Sequence, residues 1–175
     1  EDDMKKYKIA IIGVGSISEY HINGYLSDPR CELYAFCDIN ENTLKAKGEK
    51  YNITRLYTDY NKMFEACPEI DVVSVCTWNN AHVPAGLAAV NNGCHVFCEK
   101  PMAMNAKEAE KLKAAAEKKG VKLALGFVRR FGKDAILARE MAENGMLGEI
   151  YYAKAEYLRR NGNPGGWFGN SKLSG

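Results

Sequence analysis

The sequence has no long hydrophobic run, no excess of one charge, no Cys-x-x-Cys pair, no internal repeat and no low-complexity tract. Each absence removes a class of function. No apolar stretch approaches the ~18–20 residues that carry a helix across a bilayer, and no basic start precedes an apolar signal core. The 24 basic and 22 acidic side chains leave a net charge of +2, with no electrostatic footprint for nucleic acid or an acidic membrane. Six cysteines are enough for a disulfide framework. Cys37, Cys76 and Cys98, however, lie in or at the ends of apolar strand-like runs, where a thiol behaves as a small hydrophobe. Cys94 and Cys98 flank a strand start and do not converge. The set reads as buried free thiols in a reducing, cytoplasmic setting, with a disulfide or metal site as the less favoured reading.

What is present is an alternation of strand and helix. At 175 residues the chain holds one modest domain and a remainder. Glu1-Asp2-Asp3 before Met4 has the position of a cloning remnant. Strands are expected at residues 8–12, 32–37, 56–58, 71–76, 95–98 and 121–127, and helices at 16–26, 40–50, 60–66 and 81–92, with another from Asn105 to Gly120. Asn40 has the chemistry of an N-cap, Asn105-Ala106-Lys107-Glu108 has capping-box form, and Gly93 and Gly120 stop the helices before them. Strands apolar at consecutive positions are buried on both faces, and helices between them require a parallel sheet. The fold class is therefore α/β, a Rossmann-type doubly wound sheet over residues 1–127. After Phe127 the pattern changes. Residues 134–143 read as a helix, and residues 150–157 alternate as a half-covered strand. Residues 128–175 are thus expected to begin a second α/β domain, incomplete here, with a Gly- and Asn-rich final stretch carrying Trp167 and Phe168.

The first strand runs into Gly13-Val14-Gly15-Ser16-Ile17-Ser18. A pyrophosphate at a helix start needs unobstructed backbone. Gly13 permits the tight turn, Gly15 lets the main chain approach the phosphates, and residue 18 must be small so that helix and strand lie close. Ser18 stands where Gly or Ala is usual. The amides around Ser16 and Ile17 and the helix dipole then favour the anion. Asp38 ends the next strand at the distance where a carboxylate accepts the ribose hydroxyls and repels a 2′-phosphate, which favours NAD over NADP. The bland alternative is a structural glycine turn with Asp38 capping a helix.

Two further strand ends are polar. Cys76-Thr77-Trp78-Asn79-Asn80-Ala81-His82 closes one strand and opens a helix, and Glu99-Lys100-Pro101 follows the run His95-Val96-Phe97-Cys98. An acid, a base and a proline pack poorly but suit a ligand crevice, and open α/β sheets bind ligands outside the carboxyl ends of their strands. Asn79 and Asn80 suit helix capping, cofactor hydrogen bonding, or both. Together these segments and Gly93-Cys94-His95-Val96 resemble the glucose–fructose oxidoreductase / inositol dehydrogenase (Gfo/Idh/MocA) family over nearly the whole chain.

The resemblance implies a nicotinamide-binding Rossmann domain followed by an α/β domain with a large open sheet, acting on sugars, polyols and their derivatives. It implies that Thr77, Trp78, Asn79 and His82 belong to the cofactor wall and Glu99 to the nicotinamide ribose. It implies that Lys100 is catalytic, bonding the reacting substrate oxygen, and that Pro101 shapes the turn through a cis Lys100-Pro101 bond. A helix-start structural role fits His82 equally well, and His95 reads as structural. His21 has no evident role. Arg129 and Arg130 read as a solvated or inter-domain pair before a cofactor or substrate contact, and Trp167 suits a substrate wall or an interface. The family's second motif, Asp-x-x-x-His, is not in the sequence, whose last residues stand about where it should begin. The expectation is that the chain binds NAD(H) but turns over slowly or not at all, and that a full-length protein is a homo-oligomer joined through its second domain. Two alternatives stay open. A glycoside-cleaving relative that uses NAD transiently would need NAD without net NADH formation. A non-catalytic sensor would have no need of Lys100.

Overall fold

The computed structural model describes residues 6–158, 160 and 165–174. Glu1-Asp2-Asp3 and residues 161–164 of the Gly- and Asn-rich stretch lie outside the described residues. Six strands form one parallel sheet: β1 (Tyr7–Ile12), β2 (Cys31–Cys37), β3 (Leu56–Tyr57), β4 (Val72–Val75), β5 (His95–Cys98) and β6 (Leu123–Leu125). Their order is β3-β2-β1-β4-β5-β6. The helices between them are α1 (Ser18–Leu26), α2 (Glu41–Tyr51), α3 (Tyr60–Ala66), α4 (Asn79–Asn91) and α5 (Ala106–Lys119).

β1 shows why the fold is doubly wound. Successive side chains on a strand point to opposite faces. Ile9 and Ile11 join a core cluster with Ile22 of α1 and Leu44 of α2, whereas Ala10 and Ile12 join a cluster with Met63 of α3, Val90 of α4 and Leu112 of α5. Apolar residues are therefore needed at every central position. Asn40 caps α2 by accepting the amides of Asn42 and Thr43, each at 3.1 Å, and Asn105 accepts that of Glu108 at 3.0 Å. Gly120, at φ +69°, ends α5 in the left-handed conformation.

The later chain departs from expectation. Helix α6 (Lys133–Glu143) forms, but none of its residues is buried. The strand expected at residues 150–157 does not form: the segment has no ladder partner among the described residues and all eight residues are exposed. Period-two alternation marks a chain suited to a sheet, but the hydrogen-bonding neighbour must come from elsewhere. A helical turn, Ser171–Ser174, returns to the start of α4, where Asn79 Nδ2 donates to Ser174 O at 2.7 Å.

Candidate cofactor and catalytic site

The sheet order reverses between β1 and β4, and the glycine turn lies at that point. Gly13 sits at φ +86°, and a Cβ there would come within 2.7 Å of the Cys76 carbonyl carbon and 2.8 Å of Thr77 N. Only glycine lets the ends of β1 and β4 approach this closely. Gly15 is a different case: a Cβ would meet nothing within 4 Å, because the residue faces an open cleft. Ser18 is fully buried, and its Oγ donates to Gly15 O at 2.7 Å. The hydroxyl in place of the usual small apolar group thus ties the turn to α1. No side chain caps α1 at Ile17; the Glu19 and Tyr20 amides turn back to the Ser16 and Ile17 carbonyls at 3.3 and 3.2 Å, so the amides on offer are those just ahead of them, at Gly15, Ser16 and Ile17.

Asp38 is fixed by two main-chain donors. Val14 N–H donates to Oδ2 at 2.7 Å and Asn40 N–H to Oδ1 at 2.8 Å. The glycine turn and the start of α2 therefore hold the carboxylate on the cleft wall, with lone pairs left for further hydroxyl donors. The cleft measures about 620 Å³ and is bordered by Gly13, Gly15, Asp38, Ile39, Thr77 and Trp78. Cys37 and Cys76 also line it. Burial pushes both thiols up, Cys37 to about 12, so they stay protonated and serve as apolar wall. Residues 58–61, at the end of β3, complete the far side; strand pattern alone gave no sign of their part in it.

Lys100 opens on a second cavity, of about 310 Å³, shared with Gly126, Phe127, Val128, Arg129 and Arg130. Arg129 is engaged with the later chain, donating to Tyr157 Oη at 3.2 Å and stacking over that ring. The Lys100-Pro101 peptide is cis. Glu99 is buried beneath the turn, its Oε2 accepting the Lys100 N–H at 3.1 Å and its Oε1 lying 2.9 Å from His21 Nε2. Burial pushes the Glu99 carboxyl up, but the hydrogen bonds from His21 and Lys100 N–H outweigh it and hold the group below the usual carboxylate range. Gly126 leaves the space that this carboxylate fills, since a Cβ there would stand 2.9 Å from Oε1.

The remaining residues singled out from sequence divide. Ser16 and Ile17 form the exposed outer turn. Neither Asn79 nor Asn80 caps α4, which starts at Asn79 with Trp78 before it and no side-chain cap bond, so the capping expectation is corrected. His82 does not line either cavity. It is 1% exposed, with Nδ1 2.6 Å from Pro101 O and Nε2 3.1 Å from Thr77 O, so its ring bridges the two ligand-facing loops from behind. His95 accepts the Lys122 N–H at 3.0 Å, a link between β5 and the approach to β6. Trp167 stacks on Phe168 with ring centroids 4.0 Å apart. Sequence pattern missed His21, whose partners lie 53 and 78 residues away, and Gly126.

A cleft at the strand-order reversal, unoccluded backbone at Gly15, a helix start with no side-chain cap and a carboxylate on the neighbouring strand end fit a dinucleotide. Comparison with known proteins agrees. The family model described as "Oxidoreductase family, NAD-binding Rossmann fold" (GFO_IDH_MocA) matches residues 7–127. D-glucoside 3-dehydrogenase of Escherichia coli is 41% identical over 170 residues, covering 96% of this chain and 48% of that relative. Myo-inositol 2-dehydrogenase of Thermotoga maritima is 32% identical over 142 residues, covering 81% of this chain and 42% of that relative. The crystal structure of the WlbA dehydrogenase from Bordetella pertussis in complex with NADH and UDP-GlcNAcA superposes with a TM-score of 0.79 at 27% identity, covering 84% of this chain and 45% of that one. The chain therefore spans about half the length of the curated relatives it matches. With this fold, this cleft and these matches, the chain belongs to the Gfo/Idh/MocA oxidoreductase family and contains its NAD-binding Rossmann domain.

Proposed function

We propose that the protein is an NAD-dependent dehydrogenase acting on a hydroxyl-bearing carbon, or the matching carbonyl, of a sugar, polyol or related compound. The observation that carries this reading is the placement of Lys100 at the end of β5, two strands from the glycine turn of β1 in the sheet order. One end of the site is built for phosphates and ribose, and the other presents a base. When bound, the nicotinamide ring supplies the hydride acceptor or donor. The protein's own groups do the rest. Gly13 keeps the turn tight, its own amide bonded to Cys37 O at 2.8 Å, and Gly15, Ser16 and Ile17 receive the pyrophosphate on main-chain amides. Asp38 accepts the ribose hydroxyls at the adenosine end and repels a 2′-phosphate. Thr77, Trp78 and Asn79 border the path between the two ends, His82 holds the loops behind it, and Glu99 lies at the nicotinamide ribose. Pro101 sets the turn from which Lys100 bonds the substrate oxygen and exchanges its proton. Residues 128–175 belong to the start of the substrate domain on this reading.

The test is binding of NADH and NADPH to the 175-residue chain, followed by fluorescence. NADH should bind at least tenfold tighter than NADPH, and Asp38→Ala should remove most of that preference. Equal affinity in the wild type would overturn the NAD assignment, and no binding of either would overturn the cofactor site. In a preparation that oxidises a glucoside or inositol, Lys100→Ala should lower kcat by about 10²-fold or more, the scale of a lost proton-transfer group, while NADH affinity changes little.

A further inference from the structure

Behind the Lys100 turn runs a buried line of polar side chains, set back from the walls of both cavities and reaching the turn through Glu99. Tyr25 Oη lies 2.7 Å from Ser74 Oγ, Ser74 Oγ lies 3.1 Å from His21 Nδ1, and His21 Nε2 lies 2.9 Å from Glu99 Oε1. The line crosses three elements: α1 supplies Tyr25 and His21, β4 supplies Ser74, and the end of β5 leads into Glu99. Ser74 is fully buried, His21 is 7% exposed and Glu99 8%.

The donors order themselves. The carboxylate can only accept, so His21 donates to it from Nε2; with the ring neutral, Ser74 donates to Nδ1 and Tyr25 to Ser74 Oγ, and each hydroxyl and ring hydrogen is used once. Burial pushes the Tyr25 hydroxyl up to about 12, which keeps it a donor. The His21 ring also lies against Phe97, with centroids 4.7 Å apart, and this fixes its plane.

Such a line is expensive as packing. Ser74 interrupts the apolar strand Val72–Val75, where a small apolar side chain would need no partner. What the line does is hold the Glu99 carboxylate in one orientation. With Oε1 held by His21, Oε2 faces the Lys100 N–H, and the plane of the Glu99-Lys100 peptide is set.

We propose that His21 is a positioning residue: acting through Glu99, with Ser74 and Tyr25 behind it, it sets where the Lys100 turn stands at the reactive end of the cofactor site. This rests on the reading of Glu99 and Lys100 given under Proposed function. Without His21, Glu99 keeps its burial but loses a charge-assisted partner, its carboxylate reorients, and the Lys100 N–H loses its acceptor. The adenosine end, held by Asp38 and the glycine turn, shares none of these bonds.

The experiment compares NADH with ADP, which reaches only the adenosine and phosphate end. Both are titrated into wild type, His21→Ala, His21→Gln and Ser74→Ala, with the fluorescence of bound NADH and the melting temperature recorded. His21→Ala should weaken NADH at least fivefold and alter its bound emission, with ADP affinity within twofold of wild type. Ser74→Ala should shift NADH binding and emission in the same direction by less. His21→Gln, which keeps an N–H donor, should recover part of the loss. Equal weakening of NADH and ADP would assign His21 a purely structural part and overturn the proposal, as would unchanged NADH binding and emission in His21→Ala. Should His21→Ala fail to fold, Ser74→Ala decides, and unchanged NADH binding in it overturns the proposal. Failure of wild type to bind NADH would instead strike the underlying cofactor reading, and it shows before any variant is made.

Discussion

At the scale of single residues, two glycines of one motif do unlike work, and substitution separates them. Gly13 combines a left-handed φ of +86° with main-chain atoms 2.7–2.8 Å from any added Cβ. Those neighbours are backbone and cannot rotate away. Gly13→Ala should cost about 3 kcal/mol or more in urea unfolding, from a left-handed penalty of ~1–2 kcal/mol plus displacement of the β4 end. Gly15 has neither constraint, since its Cβ would enter open cleft. Gly15→Val should unfold within about 0.5 kcal/mol of wild type, the range of an uncrowded surface change, yet lose NADH binding by tenfold or more. A Gly15→Val protein that keeps full NADH affinity would show that the cofactor does not pass over this turn. The sequence motif gives the two glycines their separate parts; the approach of Cys76 and Thr77 to Gly13 alone shows what each substitution would meet. His21 was illegible for a related reason. A polar residue on a short helix gives no hint of partners on β4 and after β5, far along the chain.

At the scale of elements, what was legible in the sequence is what burial on two faces dictates. α3 and β5 have the expected bounds, and the other core elements differ by a few residues at their ends. β6 is shorter than its apolar run: at the sheet edge it pairs, among the described residues, with β5 alone, over Leu123–Leu125. Residues 150–157 were misread because alternation reports a suitable side-chain pattern and not a partner strand. Helix pairing on the β1–β2 side depends on charge as well as on apolar contact. Glu19 of α1 meets Lys47, Lys50 and Tyr51 of α2. Their hydrogen bonds, Lys47 first, then Tyr51 and Lys50, hold its carboxyl down at about 2 against an ordinary 4.5. Because the folded-state value is depressed, the stabilisation is fully present above about pH 4.5 and is lost as the pH falls toward 2. Glu19→Gln should therefore lose about 0.5–1 kcal/mol at pH 7, the scale of partly exposed ion pairs. The gap between mutant and wild type should close through that acid window. Urea unfolding at several pH values measures it, and a gap that stays constant down to pH 2 would remove Glu19 from the α1–α2 contact.

At the scale of the molecule, the reversal of strand order gathers loops from both halves of the sheet at one edge. The glycine turn and Asp38 come from β1 and β2, Thr77 and Trp78 from β4, and Glu99 and Lys100 from β5. A ligand lying across them adds a further link between segments that the chain joins by backbone hydrogen bonds at the strand ends and by buried side chains such as His21 and His82. Its effect should therefore be concentrated at the carboxyl edge of the sheet. NADH at a hundred times its Kd adds about 2.7 kcal/mol to the folded state by mass action. Where that stabilisation appears as slower amide exchange is a test of the site's extent. Residues 13–18, 76–79 and 99–102 should be protected on NADH addition. Residues 133–158 should not, because α6 has no buried residue and residues 150–157 form no ladder. Local opening of that weakly packed stretch is nearly independent of global stability. Protection at 13–18 without protection at 99–102 would confine the cofactor to its adenosine half and separate Lys100 from it. Protection spreading into 133–158 would instead show that the later chain folds onto the bound cofactor.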